Sequence, residues 1–340
     1  MRILLIACWL LLCAPVACAF PDRPLTLVMP YPATGSPDID GTSRITKLIR
    51  TMQSFSVPPL TDSLARELVQ LLTAALNQTV NLDRHPAGNT IAGTHHAAQA
   101  EPDGYTLLFA GNPTITIYPS LYPQLPFDPQ RDLAPVAALA RMPMALIATR
   151  DNPAITVRHV IERARRMPGR INYAALGDGS TSHLTGELFR TMSGAEMVHV
   201  NYNGSAPAIN AVVTRNVEFG FVPLTSALPF LNGGRIRIIA VSSAARHASV
   251  AAVPTVVESG LTGFEADGWF GVFAPAGTPR AVISLLNRAI NRALSEDILQ
   301  RMLIKRGLAA APGTPENFRD LIVKDTLRWS RLLRTVAASR

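Results

Sequence analysis

Loops of small polar residues follow one apolar run after another in this sequence. Five loops rich in Gly, Ser, Thr and Asn begin near residues 31, 111, 177, 203 and 225. Glycine lets the backbone approach a ligand closely, hydroxyl and amide groups are neutral donors, and the N–H groups at a helix start attract anions. Together the loops indicate capture of a carboxylate by neutral donors. N-caps and turns need the same residues, so a structural role stays open for any single loop.

The candidate ligand-binding residues lie in these loops or at the ends of the preceding apolar runs. His183 falls in the first turn of a predicted helix, where its ring could face a ligand or simply cap or pack. The full predicted set is Tyr31, Ala33, Thr34, Gly35, Ser36, Asp38, Asn112, Gly177, Gly179, Ser180, Thr181, Ser182, His183 and Tyr202.

Catalytic and metal-binding patterns are weak by comparison. The stretch from Gly177 to Thr181 matches neither the G-x-S-x-G elbow of hydrolases nor a P-loop, since no Lys follows its glycines. His85, His95 and His96 could suggest a metal. However, His95 and His96 are adjacent, so on a helix they point about 100° apart, and no carboxylate lies at ligand spacing beside them. We therefore predict no enzyme activity, no cofactor and no metal site.

The N-terminus predicts export. Arg2 is the only charge before Asp22, an apolar run covers residues 3–16, and Ala17-Cys18-Ala19 gives a small-x-small cleavage site before Phe20. The run is shorter than the roughly 20 residues of a spanning helix, and the residues before Cys18 make a poor lipoprotein site. All three cysteines lie in this segment, so the mature chain has no disulfide. We expect a periplasmic protein.

The formal net charge is +8. The positive residues are scattered and form no basic patch interleaved with aromatic residues, which argues against nucleic acid as a partner. Such a charge favours solubility and mild attraction for anionic ligands.

The mature chain alternates short apolar runs with helical patterns, which predicts an α/β fold with mostly parallel sheets. Its length is typical of two domains. Thr278-Pro279 and Thr314-Pro315 look like helix starts, each with a capping Thr before a Pro. The predicted strands cover residues 25–29, 80–83, 106–110, 144–149, 171–175, 197–202, 217–222, 236–242 and 269–274.

One segment, residues 41–62, interrupts this alternation. It carries Arg44, Lys47 and Arg50 with no acid before Asp62 and ends in a loop-like stretch with Pro58-Pro59. We interpret it as a surface insertion ahead of a helix that restarts near Ser63.

Many motifs in sequence order resemble the Bug-type receptors of tripartite tricarboxylate transporters. These motifs are Phe20-Pro21-Asp22-Arg23-Pro24, Pro30-Tyr31-Pro32-Ala33-Thr34-Gly35-Ser36-Pro37-Asp38, Pro102-Asp103-Gly104-Tyr105, Leu121-Tyr122-Pro123-Gln124-Leu125-Pro126-Phe127-Asp128, Asn172-Tyr173-Ala174, Gly177-Asp178-Gly179-Ser180, His199-Val200-Asn201-Tyr202-Asn203-Gly204-Ser205, Val253-Pro254-Thr255, Trp269-Phe270-Gly271 and Ala274-Pro275-Ala276-Gly277-Thr278-Pro279.

The resemblance implies a two-lobed periplasmic binding protein fold of type II with two crossover strands, at residues 139–149 and 269–274. It implies a first lobe over residues 20–138, a second over 139–237, and residues 238–340 completing both. It also implies a monomer that holds a small carboxylate between its lobes, partly through the loops 33–36 and 177–182, and delivers it to the permease subunits of a tripartite transporter. A sensor that reports to a membrane signalling protein is the alternative.

Three departures from the family pattern matter. The segment of residues 41–62 interrupts the first helix of that pattern just past the first binding loop, and so bears on the geometry of that loop. Thr34 stands where relatives usually have Gly, in the first binding loop. Val222-Pro223 stands where members often carry Asp-Asn. Because an acid there would suit an ammonium group, its absence favours a plain carboxylic acid over an amino acid.

Overall fold

A computed structural model describes residues 20–31 and 60–338. The predicted signal peptide, the loop residues Ala33, Thr34, Gly35, Ser36 and Asp38, and most of the predicted insertion lie outside this part of the chain. Within it, no helix is long and apolar enough to cross a membrane.

Eleven strands lie in the described residues. They are β1 (Leu25–Met29), β2 (Val80–Arg84), β3 (Thr106–Gly111), β4 (Leu133–Met142), β5 (Met144–Thr149), β6 (Ile171–Leu176), β7 (Met197–Tyr202), β8 (Phe219–Pro223), β9 (Ile236–Val241), β10 (Gly268–Pro275) and β11 (Ala309–Ala310).

Helices connect these strands and cover the sheets. They are α1 (Leu60–Leu76), α2 (Ile91–Ala98), α3 (Tyr118–Leu121), α4 (Pro129–Asp132), α5 (Val157–Arg166), α6 (Thr181–Ser193), α7 (Ser205–Val213), α8 (Leu224–Asn232), α9 (Arg280–Leu294), α10 (Asp297–Lys305) and α11 (Pro315–Ala338), with a π-helical turn at Pro113–Ile117 and a 3-10 turn at Ala248–Val250.

The strands form two sheets. Apart from the short edge strand β11, the two sheets have the same topology when the first is followed from β2 to β4 and the second from β7 to β9. The first runs β11-β4-β10-β3-β1-β2 and the second β7-β6-β8-β5-β9. Four strands of each sheet point in one direction, whereas β10 in the first and β5 in the second run antiparallel to both neighbours. The predicted α/β fold with two mostly parallel sheets is therefore confirmed.

The chain crosses between the sheets at Pro143, where β4 ends and β5 begins, and returns over residues 242–267. The predicted lobe boundaries need correction here. A boundary at residue 138 would divide β4, which pairs with β10 along its whole length, and a boundary at residue 237 would divide β9. The apolar run continues through the change of sheet because β4 and β5 are both largely buried.

The last helix, α11, packs against both lobes. Phe318 and Ile322 lie in a core cluster of the first sheet, while Trp329, Leu332 and Val336 lie in a core cluster of the second. The chain therefore joins the two lobes a third time, through helix packing.

Three helix starts test the sequence reading. Thr314 caps α11 as predicted, because its hydroxyl accepts a hydrogen bond from the N–H of Asn317 at 3.2 Å. Thr278 does not cap α9; its hydroxyl donates to the carbonyl of Pro275 instead. The helix predicted to restart near Ser63 already includes Leu60 and Asp62, so the end of the predicted insertion belongs to α1.

Candidate ligand-binding site

Asn112 lies where the two lobes meet. It follows β3 directly and is almost fully buried. Its Oδ1 accepts hydrogen bonds from Thr181 Oγ1 at 3.2 Å and from the N–H of Trp269 at 3.4 Å. One amide of the first lobe therefore contacts the N-terminus of α6 in the second lobe and the start of β10, where the chain has returned to the first sheet.

The orientation of this amide follows from its partners. The Trp269 N–H can only donate, so it must face the oxygen of Asn112. The amide nitrogen Nδ2 is buried and has no hydrogen-bond partner among the described residues. Leaving a buried donor unsatisfied costs about 1–3 kcal/mol, and an acceptor placed beside it would remove that cost.

Tyr31 contacts the end of β3, directly before Asn112. Its hydroxyl oxygen accepts a hydrogen bond from the N–H of Gly111 at 2.8 Å, and its ring meets Phe109 and Phe270 edge-on. Burial raises the pKa of Tyr31 far above its ordinary value, so the hydroxyl stays neutral. A side chain at Gly111 would place its Cβ 2.9 Å from the Tyr31 hydroxyl, so this close contact needs glycine.

Thr90 and Thr114, which sequence reasoning missed, lie against this corner. Their hydroxyl oxygens are 2.5 Å apart. Thr90 has φ 75° and follows Gly88 and Asn89, which are also left-handed. A β-branched residue rarely adopts this conformation, and such strain is frequent at ligand sites. Gly88-Asn89 marks a turn in the sequence, but no pattern predicts that Thr90 extends it.

The loop between β6 and α6 is built largely by its own hydroxyls. Ser180 caps α6 by accepting from the N–H of His183 at 3.1 Å, and it donates to the carbonyl of Leu176 at 2.7 Å. Ser182 donates to the carbonyl of Phe221 and accepts from the N–H of Leu176. The hydroxyl protons of Ser180 and Ser182 are therefore donated to backbone carbonyls of the protein. Both residues hold the loop in shape.

Gly179 and Gly177 give the loop its form. Gly179 has φ 76°, and an added Cβ would lie 2.3 Å from Cδ1 of Leu121. The carbonyl of Gly177 accepts from the N–H of Ser180. The loop thus delivers Thr181, the first residue of α6, to Asn112. By position, the first N–H groups of α6 have no acceptor inside the helix, and they form its positive end.

His183 lies on another side of the loop. Its Nδ1 accepts from the N–H of Gly179 at 3.2 Å, and its ring stacks on His199 with 4.2 Å between centroids. Asp178 Oδ1 lies 3.6 Å from His199 Nδ1. His183 and Asp178 line a surface pocket of about 820 Å³ together with Glu187 and Arg334.

The predicted residues therefore separate into three groups. Tyr31, Asn112 and Thr181 meet at one corner, with the 177–182 loop behind them. His183 faces the neighbouring pocket. Tyr202 packs with a core cluster of the second lobe that includes Ala208 and Ile209. His199, three residues earlier on the same strand, projects from the opposite face.

Comparison with known proteins gives consistent matches over most of the chain. A family model described as "Tripartite tricarboxylate transporter family receptor" matches residues 64–337. The structure of Rpa4515 of R. palustris with adipate is 29% identical, with a TM-score of 0.74, and the match covers 94% of this chain and 98% of that one. MatC from Rhodopseudomonas palustris with bound malate is 26% identical, with a TM-score of 0.69 and coverage of 92% and 99%. The periplasmic binding protein BugD is 26% identical, with a TM-score of 0.69 and coverage of 94% and 99%.

Proposed function

Because the chain belongs to the tripartite tricarboxylate transporter receptor family, we propose that it is an exported receptor that captures a small carboxylate between its lobes and delivers it to a membrane permease. The family is a class of solute-binding receptors and not of enzymes. The type II two-lobed fold that the Bug-type motifs predict for this chain is confirmed. Adipate and malate, bound by two solved relatives, support a carboxylate as the ligand.

The buried Nδ2 of Asn112 is the observation that carries the proposal. A carboxylate oxygen beside it would accept the hydrogen bond that the described residues leave unmade. Hydrogen bonds to a charged group contribute about 1.5–3 kcal/mol each, and the positive end of α6 adds to this attraction.

The same contact links capture to lobe closure. Asn112 belongs to the first lobe, and Thr181 and the α6 N-terminus belong to the second. A carboxylate held by donors of both lobes therefore binds the closed arrangement more tightly than an open one. A ligand shifts such an equilibrium by its difference in affinity for the two states.

The end of β8 favours an acid without an amino group. β8 ends on Val222-Pro223, and both residues are buried. That strand end supplies no carboxylate for an ammonium group. We expect plain carboxylic acids, including dicarboxylates, to bind more tightly than amino acids of similar size.

Calorimetry on the protein that begins at Phe20 tests the ligand class. Adipate, malate and other carboxylic acids are compared with their amides and with aspartate. We expect an acid to bind and its amide to lose at least tenfold in affinity. Equal binding of acid and amide, or no binding across the carboxylates, would overturn the proposal.

Substitution at Asn112 tests the site itself. Asn112→Asp replaces a donor with a buried acceptor, so we expect at least tenfold weaker binding of the acid. Asn112→Ser is the milder variant if the first folds poorly. Asn210→Asp makes the same change on an exposed face of α7 and should bind like the wild type. Wild-type affinity in both Asn112 variants would remove this residue from the site.

Uptake of the same acid tests delivery. Deletion of the permease subunits should abolish receptor-dependent uptake. Unchanged uptake, with a transcriptional response that needs this receptor, would favour the sensor.

A further inference from the structure

Asp83, His85 and His96 meet at the carboxyl end of β2, apart from the proposed carboxylate site. Asp83 lies in β2 and His85 directly follows the strand, two residues later, so their side chains share one side. His85 Nε2 lies 2.8 Å from Asp83 Oδ2. The His96 ring, from α2, stacks on His85 with 4.2 Å between centroids and 24° between planes. One ligand atom from each residue lies within 4.8 Å of the others.

Tight backbone packing holds this arrangement. The N–H of His85 donates to the carbonyl of Met29 at 3.1 Å, which fixes the residue beside β1. A Cβ at Gly93 would lie 2.7 Å from the carbonyl oxygen of His85 and 2.8 Å from Cβ of Pro30. α2 therefore approaches the strand ends as closely as glycine permits. His96, three residues later on the same helix face, is placed over His85 by that contact.

The local charges favour a cation here. Arg84, between the two strand ligands, projects to the other side of β2, where its guanidinium lies 2.5 Å from Asp62 Oδ1. Arg84 is therefore paired with Asp62, and the Asp83 carboxylate faces the two histidines. The side chains of Asp83 and His85 are 43% and 35% exposed and His96 is exposed, so an ion can reach them from solvent.

We propose that Asp83, His85 and His96 form a binding site for a divalent transition-metal ion such as Zn²⁺. Two imidazoles and a carboxylate suit zinc, nickel or copper, whereas calcium and magnesium prefer oxygen ligands alone. With bonds of about 2.0–2.1 Å in tetrahedral geometry, ligand atoms lie about 3.3 Å apart. The three ligand atoms already lie within 4.8 Å of one another, so binding requires the side chains to adjust toward that spacing. The fourth position is left to water or an anion.

Calorimetric titration of the tag-free protein that begins at Phe20 with Zn²⁺, and separately with Ni²⁺, tests the site. We expect one equivalent to bind at these residues. His96→Gln should weaken binding by at least tenfold, and Asp83→Asn should also weaken it. Neither change should lower the metal-free unfolding temperature much, because both side chains are partly exposed.

Two matched variants make the result specific. His159→Gln removes an exposed histidine at the start of α5, and His199→Gln removes one from the other candidate cluster, Asp178, His183 and His199. Both should keep the ion bound at the Asp83 site. Binding that His199→Gln abolishes and His96→Gln leaves intact would overturn the proposal, as would no binding of either ion to the wild type.

Discussion

Ser180 illustrates how one hydroxyl can be fully used by its own loop. It accepts from the N–H of His183 and donates to the carbonyl of Leu176. Ser180→Ala removes the cap of α6, which costs about 1 kcal/mol of unfolding free energy. Because its proton already goes to Leu176, we expect at most a modest loss of carboxylate affinity. Urea unfolding and calorimetry on the same variant measure the two effects. A large loss of affinity without loss of stability would show that Ser180 contacts the ligand directly.

Gly179 is constrained in a different way. Valine there would need φ near 76° and would place its Cβ 2.3 Å from Leu121 Cδ1. Positive φ in a β-branched residue is strongly disfavoured, so Gly179→Val should distort the loop and greatly weaken binding. Gly169 also has positive φ but has open space around it, so Gly169→Val is a control for the backbone strain alone. If Gly179→Val binds the carboxylate as tightly as Gly169→Val does, the 177–182 loop is not part of the binding site.

At this scale, the sequence predicts residue types better than residue roles. Asn112 and Thr181 were expected at the site, and they do meet. Ser180 and Ser182 instead have the structural role that the sequence left open, because their hydroxyls bond to the backbone. Thr90 could not be predicted because its left-handed backbone depends on how α2 packs. The prediction of no metal site also rested on neighbours in sequence and not on neighbours in the fold. No carboxylate neighbours His95 and His96 in sequence, but Asp83 comes beside His96 through the fold.

Helix α6 provides a prediction at the scale of an element. Alanine usually stabilises a helix interior by about 1 kcal/mol relative to glycine. At Gly186, however, a Cβ would lie 2.2 Å from Cε2 of Tyr173, a buried ring whose hydroxyl donates to Glu187 at 2.8 Å. Gly186→Ala should therefore destabilise the protein by about 1–3 kcal/mol, as overpacking does.

Thermal unfolding checks this prediction. Thr191→Ala, on an exposed position of the same helix, should leave the unfolding temperature nearly unchanged. A stabilised Gly186→Ala protein would mean that the ring of Tyr173 moves aside freely.

Most strands are predictable from the sequence because continuous apolar runs mark strands that are buried on both faces. Each of the nine predicted strands overlaps an observed one. β4 was only partly predicted. It is rich in alanine, which favours helices, and it contains Pro135, which is usually excluded from central strands. Among the residues that the structure describes, only the two of β11 pair along the outer side of β4, so Pro135 lies where the strand is an edge.

Across the whole molecule, the three passages between the lobes meet around Asp267. The N–H of Met144 donates to Ser242 Oγ at 2.8 Å, and the Ser242 hydroxyl donates to Asp267 Oδ1 at 2.7 Å. β5, the end of β9 and the start of β10 are thereby linked. Trp269, two residues on, donates through Nε1 to Asp325 of α11. Periodicity could not predict this junction because its residues are far apart in sequence.

Burial raises the pKa of Asp267 to about 6. The hydrogen bond from Ser242 and the charge of Arg141 oppose this shift, whereas the charges of Glu265 and Asp325 add to it. The ordinary value is about 3.9, so the folded protein holds this proton more tightly than the unfolded chain does. The contribution of Asp267 to the free energy of unfolding is therefore complete below about pH 4 and is lost as the pH rises through 6. A shift of about two pH units corresponds to about 3 kcal/mol.

Asp267→Asn keeps an oxygen for the Ser242 hydroxyl and removes the ionisation. We expect the variant to match the wild type near pH 4 and to exceed it in stability by about 1–3 kcal/mol at pH 7. Urea unfolding of both proteins at pH 4, 5, 6 and 7 measures the difference, in which all other titrations cancel. Asp297→Asn, at a highly exposed carboxylate, should show no such divergence. A constant difference between Asp267→Asn and the wild type over this range would mean that Asp267 is ionised throughout, with its charge balanced by Arg141.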